Sequence, residues 1–316
     1  MKKILITGAL GQVGTELTMK MRNIYGANNV ISSDLNFKEC EASTSGPFEK
    51  LNVTDGNAMA ELVKKHKVDT IVHLAALLSA TAENNPSVAW DINMGGLKNV
   101  LDIANENKCA VFTPSSIAAF GPLTPADNTP QDTIQRPSTI YGVTKVAGEV
   151  LSDYYHKRFG VDTRGVRYPG LISNDTLPGG GTTDYAVHIY YEALKNKKFV
   201  CPLEKGTFMD MMYMPDALDA VVNLMEADGS KLIHRNAFNI TAMSFDPEGI
   251  AASIKKYMPE FEMTYDLNSK LQGIANSWPN SIDDSAAKAE WGWSPKYDLD
   301  KMTKDMFEKL AIKLNL

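Results

Sequence analysis

The sequence has few cysteines, and the three it contains lie far apart. Cys40, Cys109 and Cys201 are the only thiols among 316 residues. A disulfide framework or a structural zinc site needs more cysteines at closer spacing. The histidines also lack the spacing of metal ligands, and they are His66, His73, His156, His188 and His234. We therefore expect a protein of a reducing compartment, the cytoplasm, that binds no metal.

The chain also lacks long apolar runs and an excess of basic charge. No run of about 18 apolar residues occurs, which argues against a transmembrane helix. Lys2 and Lys3 precede a short apolar stretch as in a signal peptide, but glycines interrupt that stretch. The 32 basic residues are scattered among 38 acidic ones, giving a net charge of −6. Neither nucleic acid nor a membrane surface is therefore predicted as a partner.

A glycine-rich turn lies close to the start of the chain. Residues 4–14 read I-L-I-T-G-A-L-G-Q-V-G. In a nucleotide-binding turn Gly8 would form the tight bend, Gly11 would let the backbone approach a pyrophosphate, and Gly14 would let the next helix pack closely. Gln12 and Val13 would then begin a helix whose free N–H groups face the anion. An ordinary strand-turn-helix uses glycine in the same way, so the spacing needs support from elsewhere.

That support comes from the next predicted strand, which ends in a carboxylate. The strand covers residues 30–33, and Asp34 follows it. A carboxylate at this place accepts hydrogen bonds from the ribose hydroxyls of an adenosine and repels a 2′-phosphate. No arginine follows closely. The two features together predict NAD rather than NADP as the cofactor.

Short apolar strands alternate with amphipathic helices through the first half of the chain. This alternation predicts an α/β protein with a doubly wound parallel sheet, the Rossmann arrangement. The predicted strands cover residues 4–7, 30–33, 70–74, 110–114 and 163–168, and the predicted helices cover 12–23, 58–66, 95–105 and 141–159. Glycine- and proline-rich loops follow Tyr168. We expect a cofactor domain of residues 1–169 with about 211–240, and a smaller α/β substrate domain of about 170–210 with 241–316.

A serine, a tyrosine and a lysine form the candidate catalytic group. Tyr141 and Lys145 lie one turn apart on a predicted helix, so their side chains share a face. The ammonium would stabilise the phenolate of a tyrosine whose ordinary pKa, about 10, is too high for a base at neutral pH. Ser116 follows the fourth strand and would hydrogen-bond the oxygen being oxidised. The alternative is that Tyr141 and Lys145 are an exposed pair on the helix surface and that Ser115 and Ser116 form a polar turn. The nucleotide-binding pattern disfavours this alternative.

These motifs resemble those of the extended short-chain dehydrogenase/reductases. The resemblance includes T-G-A-L-G-Q-V-G from Thr7, H-L-A-A from His73, S-S-I-A-A-F-G from Ser115 and the Tyr-x-x-x-Lys pair. It implies a Rossmann domain, NAD and acid/base chemistry by tyrosine. It also implies further cofactor-contacting or cofactor-supporting positions, which are Asn52, Val53, Leu74, Ala75, Ala76, Asn93 and Tyr168. Asn52 departs from the aspartate usual in the family.

Two departures separate the chain from the nucleotide-sugar enzymes of that family. Sugar dehydratases have an acidic pair after the catalytic serine, where this chain has Ile117 and Ala118. Many nucleotide-sugar enzymes have an arginine that binds the sugar-nucleotide diphosphate, and Met209 stands at its place. A thioether cannot bind a diphosphate. We expect the methionine-rich stretch 209–214 to fill irregular space between the two domains.

Other segments are similar to the short-chain-type L-threonine 3-dehydrogenases. They include R-Y-P-G-L-I-S from Arg167, G-G-G-T-T-D-Y-A-V from Gly179, M-M-Y-M-P-D-A-L from Met211 and S-W-P from Ser277. The resemblance implies NAD-dependent oxidation of L-threonine to 2-amino-3-oxobutyrate by a homodimer that pairs helices 95–105 and 141–159. Implied substrate contacts, beside Ser116 and Tyr141, are Ser79, Thr182, Thr183 and Trp278.

Each implied substrate contact has a structural alternative: Ser79 as a helix cap, the threonines as a turn or cap, and Trp278 as core. The function also has alternatives. A nucleotide-sugar epimerase or reductase is one, and a non-catalytic NAD sensor is another. The sensor is disfavoured because Ser116, Tyr141 and Lys145 are all present.

Overall fold

The computed structural model describes residues 1–179 and 181–316, and a parallel six-stranded sheet forms its centre. The strands of this sheet are β1 (Ile4–Thr7), β2 (Val30–Asp34), β3 (Phe48–Lys50), β4 (Thr70–His73), β5 (Ala110–Phe112) and β7 (Thr163–Arg164). Their order is β3-β2-β1-β4-β5-β7, and every neighbouring pair is parallel. The order reverses between β1 and β4. Ligands of doubly wound sheets bind at the carboxyl ends of the strands beside such a reversal.

Helices cover both faces of this sheet. The larger ones are α1 (Gln12–Tyr25), α3 (Gly56–His66), α6 (Gly96–Asn107), α7 (Ile140–Phe159) and α9 (Met214–Glu226). Successive strand residues point to opposite faces, so Ile4 and Ile6 pack with Leu17 of α1 while Leu5 packs with Val100 of α6. Because both faces are buried, the strands are apolar throughout rather than alternating.

The ends of α7 are fixed by local chemistry, which determines where its functional face begins. The hydroxyl of Thr139 accepts a hydrogen bond from the backbone N–H of Gly142, at 3.1 Å. The helix ends at Gly160, whose φ of 74° is in the left-handed region that glycine adopts without strain. The helix therefore begins one residue before Tyr141 and brings that side chain to the carboxyl edge of the sheet.

Shorter elements and three small sheets complete the described structure. The remaining helices are α2 (Glu41–Thr44), α4 (Ser79–Asn84), α5 (Pro86–Trp90), α8 (Tyr185–Asn196), α10 (Pro247–Lys255), α11 (Ser269–Ala275), α12 (Ser285–Trp291) and α13 (Leu299–Leu314). The remaining strands are β6 (Ser115–Ser116), β8 (Val166–Tyr168), β9 (Gly170–Ile172), β10 (Lys198–Cys201), β11 (Met209–Tyr213), β12 (Phe238–Asn239), β13 (Met243–Phe245) and β14 (Glu262–Tyr265). The small sheets are β12-β8-β6, β13-β11-β9 and β10-β14.

Strand β11 packs into two hydrophobic cores. Met209, Met211 and Tyr213 belong to a core built with α8, α10 and α13. Met212, which points the other way, belongs to the core between the central sheet and helices α1 and α9, as does Met214, the first residue of α9. Three methionines of the stretch 209–214, Met209, Met211 and Met212, lie on this fully buried strand. The expectation that they fill the space between two packing units agrees with the two cores.

The other predicted helices and strands of the first half are confirmed to within two residues at each end, apart from residues 163–168. The short elements α2, α4, α5 and β6 were not predicted. Residues 163–168 form two strands rather than one, because the chain leaves the central sheet at Gly165, whose N–H donates to Arg235 O at 2.8 Å. The edge strand β3 was not predicted. Within the described residues, no helix is long and apolar enough to cross a membrane.

Candidate active site

Two adjoining cavities lie at the carboxyl edge of the central sheet, and both are lined by the glycine-rich turn. One has a volume of about 470 Å³ and is bounded by Asp34, Asn52 and Val53. The other has a volume of about 250 Å³ and contains the catalytic candidates. Gly8 and Gly11 line both cavities. Together the cavities form an elongated cleft of the kind that a dinucleotide and a small substrate require.

The glycines of the turn have the roles that their spacing predicts. Gly8 has a φ of +68°, and a Cβ there would lie 2.7 Å from Ala75 N. A Cβ on Gly14 would lie 2.2 Å from Gly8 O, so α1 could not pack against the turn with any larger residue. By contrast, a Cβ on Gly11 would meet only Gly8 O, at 3.4 Å, and would otherwise project into open space. Gly11 therefore leaves room for a phosphate.

Asp34 lies at the end of β2 with its carboxylate held in place. Oδ2 accepts a hydrogen bond from Leu10 N at 3.0 Å, and Oδ1 accepts one from Leu35 N at 2.8 Å. Each oxygen retains capacity for a ribose hydroxyl. Asn52 is exposed, and its Oδ1 accepts from Thr54 N at 3.1 Å and from Thr54 Oγ1 at 2.9 Å.

The remaining cofactor candidates lie around the same cleft. Val13, Leu74, Ala76 and Tyr168 line one cavity or both, and Ala75 lines the larger one. Tyr168 donates its hydroxyl proton to Ala217 O at 2.7 Å. Asn93 lines neither cavity and instead bonds the backbone of Leu77. Its Oδ1 accepts a hydrogen bond from Leu77 N at 2.8 Å, and its Nδ2 donates one to Leu77 O at 3.2 Å. Asn93 thus fixes the loop that follows β4.

Ser116, Tyr141 and Lys145 lie together in the smaller cavity. Ser116 hydrogen-bonds the hydroxyl of Tyr141. The Nζ of Lys145 lies 5.3 Å from the centre of the Tyr141 ring and donates to Pro114 O at 2.7 Å. A Cβ on Gly142 would lie 2.2 Å from Ala118 O, so a glycine beside Tyr141 allows α7 to approach the turn after Ser116.

Burial sets the proton affinities of this group. It raises the pKa of Tyr141 to about 12, against the lowering effect of the hydrogen bond with Ser116. It lowers the pKa of Lys145 to about 8, against the raising effect of Glu149. The phenol is therefore protonated at neutral pH in the protein by itself. Burial thus opposes the phenolate, and positive charge beside Tyr141, from Lys145 and from a bound cofactor, would favour it.

Two titratable neighbours of Lys145, His73 and Glu149, were not predicted from the sequence to influence the catalytic group. His73 is buried, its Nδ1 lies 2.8 Å from Thr7 Oγ1, and burial, with a smaller effect of Lys145, lowers its pKa to about 3. It is neutral, in keeping with a structural histidine of the sheet. Glu149 lies one turn beyond Lys145, where Arg167 binds both its oxygens, at 3.0 and 2.9 Å. The repeated spacing of four residues on α7 was the signal that could have identified Glu149.

The four implied substrate contacts meet at the smaller cavity from three distant parts of the chain. Ser79 is the first residue of α4, whose cap is Leu78, and it is buried. Thr182 and Thr183 begin a turn of 3-10 helix at residues 182–184, and Trp278 also lines the cavity. Trp278 also packs against the cluster of Ile117, Phe120 and Ile282, so it both lines the cavity and packs in a core, and its contact with substrate stays a prediction. Gly180, part of the predicted glycine-threonine turn, lies outside the described residues.

Two buried polar atoms in this cavity have no hydrogen-bond partner among the described residues. They are Gln12 Nε2, at the start of α1, and Thr182 Oγ1. A buried polar group without a partner costs about 1–3 kcal/mol, so such groups indicate a ligand or a bound water. The open space over Gly11, the amide of Gln12 and the carboxylate of Asp34 fit the phosphates and ribose of NAD. In the described part of the chain, His, Cys, Asp and Glu side chains form no group of three that could hold a metal ion.

Comparison with known proteins agrees with this geometry. The model of the NAD dependent epimerase/dehydratase family matches residues 4–241. The chain belongs to that family, whose members are NAD-dependent enzymes. An uncharacterized epimerase/dehydratase of Staphylococcus saprophyticus is 58% identical, over 98% of this chain and 97% of its own.

Solved structures narrow the resemblance within the family. L-threonine dehydrogenase from Clostridium difficile is 65% identical with a TM-score of 0.98, over 99% of this chain and 98% of its own. A monomeric L-threonine 3-dehydrogenase from a metagenome database is 42% identical with a TM-score of 0.95, over 99% and 100%. The similarity spans both hydrophobic cores and therefore includes the half of the chain that carries Trp278.

Proposed function

We propose that this protein oxidises L-threonine at C3 to 2-amino-3-oxobutyrate with NAD⁺ as the hydride acceptor. The observation that carries the proposal is the 65% identity to L-threonine dehydrogenase from Clostridium difficile over 99% of the chain. Identity at that level extends through the elements that line the substrate side of the cleft. The adjoining 250 Å³ cavity has room for a small amino acid and contains a tyrosine, a lysine and a serine.

In the proposed reaction, Tyr141 accepts the proton of the C3 hydroxyl. Bound NAD⁺ supplies a positively charged ring that accepts hydride and favours the phenolate. Lys145, anchored to Pro114 O, keeps an ammonium beside Tyr141, and Ser116 orients the hydroxyl that reacts. The buried setting of these groups excludes water from the proton that is transferred.

The cofactor would lie along the cleft from Asp34 to Tyr141. Asp34 and Val53 would hold the adenosine, Gly11, Gln12 and the N-terminus of α1 the pyrophosphate, and Tyr168 the nicotinamide end. These assignments rest on the cavity lining and on the two free acceptor positions of Asp34.

The substrate would be held by hydroxyl and backbone groups rather than by an arginine. Ser79, Thr182 and Thr183 line the cavity, and the buried Thr182 Oγ1 lacks a partner among the described residues. Neutral donors bind a carboxylate more weakly than a bidentate arginine does. We therefore expect a KM for L-threonine toward the millimolar end of the usual range.

The deciding experiment compares four substrates under identical conditions. NADH formation is followed with L-threonine, L-serine, L-allo-threonine and UDP-galactose, each with NAD⁺ and with NADP⁺. Activity with L-threonine and NAD⁺ supports the proposal. Binding or turnover of UDP-galactose without L-threonine oxidation would favour a nucleotide-sugar enzyme. That reading is disfavoured because Met209 is fully buried on β11, away from the cavity walls.

We further propose that the protein is a homodimer that uses α7. Val143, Val150 and Tyr154 form an apolar stripe along that helix and are 40%, 62% and 53% exposed. The neighbouring helix α5 adds Val88 and Trp90, which are also exposed. Patches of this kind are common at interfaces between subunits. The apolar residues of α6 are buried, so its part in the interface rests on the family resemblance alone.

Light scattering tests the dimer, because a monomer has a mass of 34.7 kDa. Val150→Glu places a charge in the stripe and should reduce a dimer to monomers. Ile233→Glu, at an exposed position outside the stripe, is the matched control. A wild-type mass near that of the monomer at micromolar concentration would contradict the proposal.

A further inference from the structure

Asp210 is a fully buried carboxylate on β11 that has no part in the chemistry above. It is 0% exposed and lies between Met209 and Met211. Burial raises its pKa to about 7, against the lowering effects of hydrogen bonds with Thr241, Ile282 and Met211 and with the added raising effect of Asp284. A buried acid of this kind is retained at a cost in stability, which calls for a functional reason.

The carboxylate binds two segments from outside its own strand. Oδ2 accepts a hydrogen bond from the backbone N–H of Ile282 at 2.7 Å, and Oδ1 is bonded by the hydroxyl of Thr241. Ile282 follows Trp278 closely in the chain. Asp210 therefore fixes the segment after Trp278 to the strand shared by the two cores.

Ile282 in turn supports two walls of the substrate cavity. Its side chain packs with Ile117 and Phe120, and Trp278 packs against the same group. Ile117 and Trp278 both line the 250 Å³ cavity. The backbone of Ile282 also pairs with Thr129, whose N–H donates to Ser281 O at 2.9 Å. Asp210 and the loop at Thr129 thus hold this segment from two sides.

We propose that Asp210 is a positioning residue for substrate, which fixes the wall formed by Ile117 and Trp278 through its bond to Ile282. The inference rests on the proposed function, since it assigns that wall to the amino-acid substrate. Asp34, Val53, Gly11 and Gln12, which would hold the adenosine and pyrophosphate of NAD, are not among the residues that Ile282 contacts. The consequence is selective: loss of this bond changes the affinity for the amino acid and leaves that for NAD⁺ unchanged.

The test uses a pair of substitutions at one position. Asp210→Ala removes the bond to Ile282, and we expect KM for L-threonine to rise roughly tenfold, the equivalent of a bond to a charged group. Asp210→Asn keeps an acceptor for Ile282 N–H and a donor for Thr241, so its KM should return to within about twofold of wild type. The Kd for NAD⁺, measured by calorimetry, should stay unchanged in both.

Asp216 provides a matched control. It is also buried, and its carboxylate accepts backbone N–H bonds from Lys296 at 2.9 Å and Tyr297 at 3.0 Å. Neither residue lines the cleft. Asp216→Ala should lower the melting temperature as Asp210→Ala does, without raising KM. Equal rises of KM in both alanine variants would show that Asp210 contributes only to general stability, and they would overturn the proposal.

A spectroscopic measurement separates this inference from the proposed function. Acrylamide quenching of Trp278 fluorescence reports how exposed this wall is, and it needs no substrate. The signal of Trp278 is the difference between proteins with and without Trp278→Phe. We expect quenching to increase in Asp210→Ala and to recover in Asp210→Asn. Unchanged quenching in Asp210→Ala overturns the inference, even if L-threonine is the substrate. Changed quenching in a protein that does not oxidise L-threonine would contradict the proposed function alone.

If Asp210→Ala does not fold, Thr241→Val takes its place. That variant removes the second bond to the carboxyl, and the expected changes in KM and quenching have the same direction.

Discussion

The cofactor side and the substrate side of the cleft are assembled in different ways. The cofactor side comes from one short stretch, residues 8–14, and from the ends of adjacent parallel strands such as β2. The substrate side brings together Ser79, Thr182 and Trp278, which lie on separate segments of the chain. Local spacing therefore reveals the first side, while the second is visible only after folding or through resemblance. A substitution on the cofactor side should act through direct contact, and one on the substrate side through the support of a wall.

The largest expected effect is that of Tyr141→Phe, which lies where the two sides meet. The variant loses the proton acceptor, so turnover should fall by roughly 10²-fold or more. The Kd for NAD⁺ should stay nearly the same, because the ring that packs beside Lys145 is kept. Steady-state NADH formation and calorimetry measure the two quantities. Near-normal turnover would show that another group is the base.

On the cofactor side, Asp34→Ala should weaken NAD⁺ binding by about tenfold. The variant loses charge-assisted bonds to two ribose hydroxyls, each of modest strength. It also loses the repulsion of a 2′-phosphate, so the ratio of kcat/KM for NAD⁺ over NADP⁺ should fall. Glu61→Ala, at an exposed position on α3 that lines neither cavity, is the control and should change the ratio little. Equal use of both cofactors by the wild type would refute the role of Asp34.

On the substrate side, Thr182→Val should raise KM for L-threonine several-fold without lowering the melting temperature. The hydroxyl has no partner among the described residues, so valine removes an unsatisfied buried group and keeps its shape. Thr183→Ala should also raise KM. If Thr182→Val stabilises the protein and leaves KM unchanged, Thr182 has no contact with substrate.

The smallest effect is a pH dependence of stability that belongs to Asp210. Its pKa is about 7 in the folded protein and 3.8 in the unfolded reference. Between pH 3.8 and about pH 7 the carboxyl is therefore protonated in the folded state and ionised in the unfolded state. The free energy of unfolding falls as pH rises through that range. Asp210→Asn lacks this titration. The difference in melting temperature, variant minus wild type, should therefore increase from about pH 4 to about pH 7 and change little above pH 7.

The predicted fold and the site agree with the structure where a short pattern determines the geometry. The turn at Gly8, the strand that ends at Asp34 and the pair of Tyr141 and Lys145 each depend on residues that are close in sequence. Strand β3 was missed because three residues at a sheet edge carry no periodic signal. Asp210 was missed because its partners, Thr241 and Ile282, are distant in sequence, and a single aspartate among methionines indicates no function by itself.

Strand β11 has a consequence for how the molecule unfolds. Met209, Met211 and Tyr213 of this strand belong to one core and Met212 belongs to the other, so neither core can lose this strand alone. The two halves should melt in one cooperative transition, with a calorimetric enthalpy equal to the van't Hoff enthalpy. The two halves also cannot separate as rigid bodies about this strand without exposing buried methionines. Substrate entry must then depend on movement of side chains and loops around a fixed central strand.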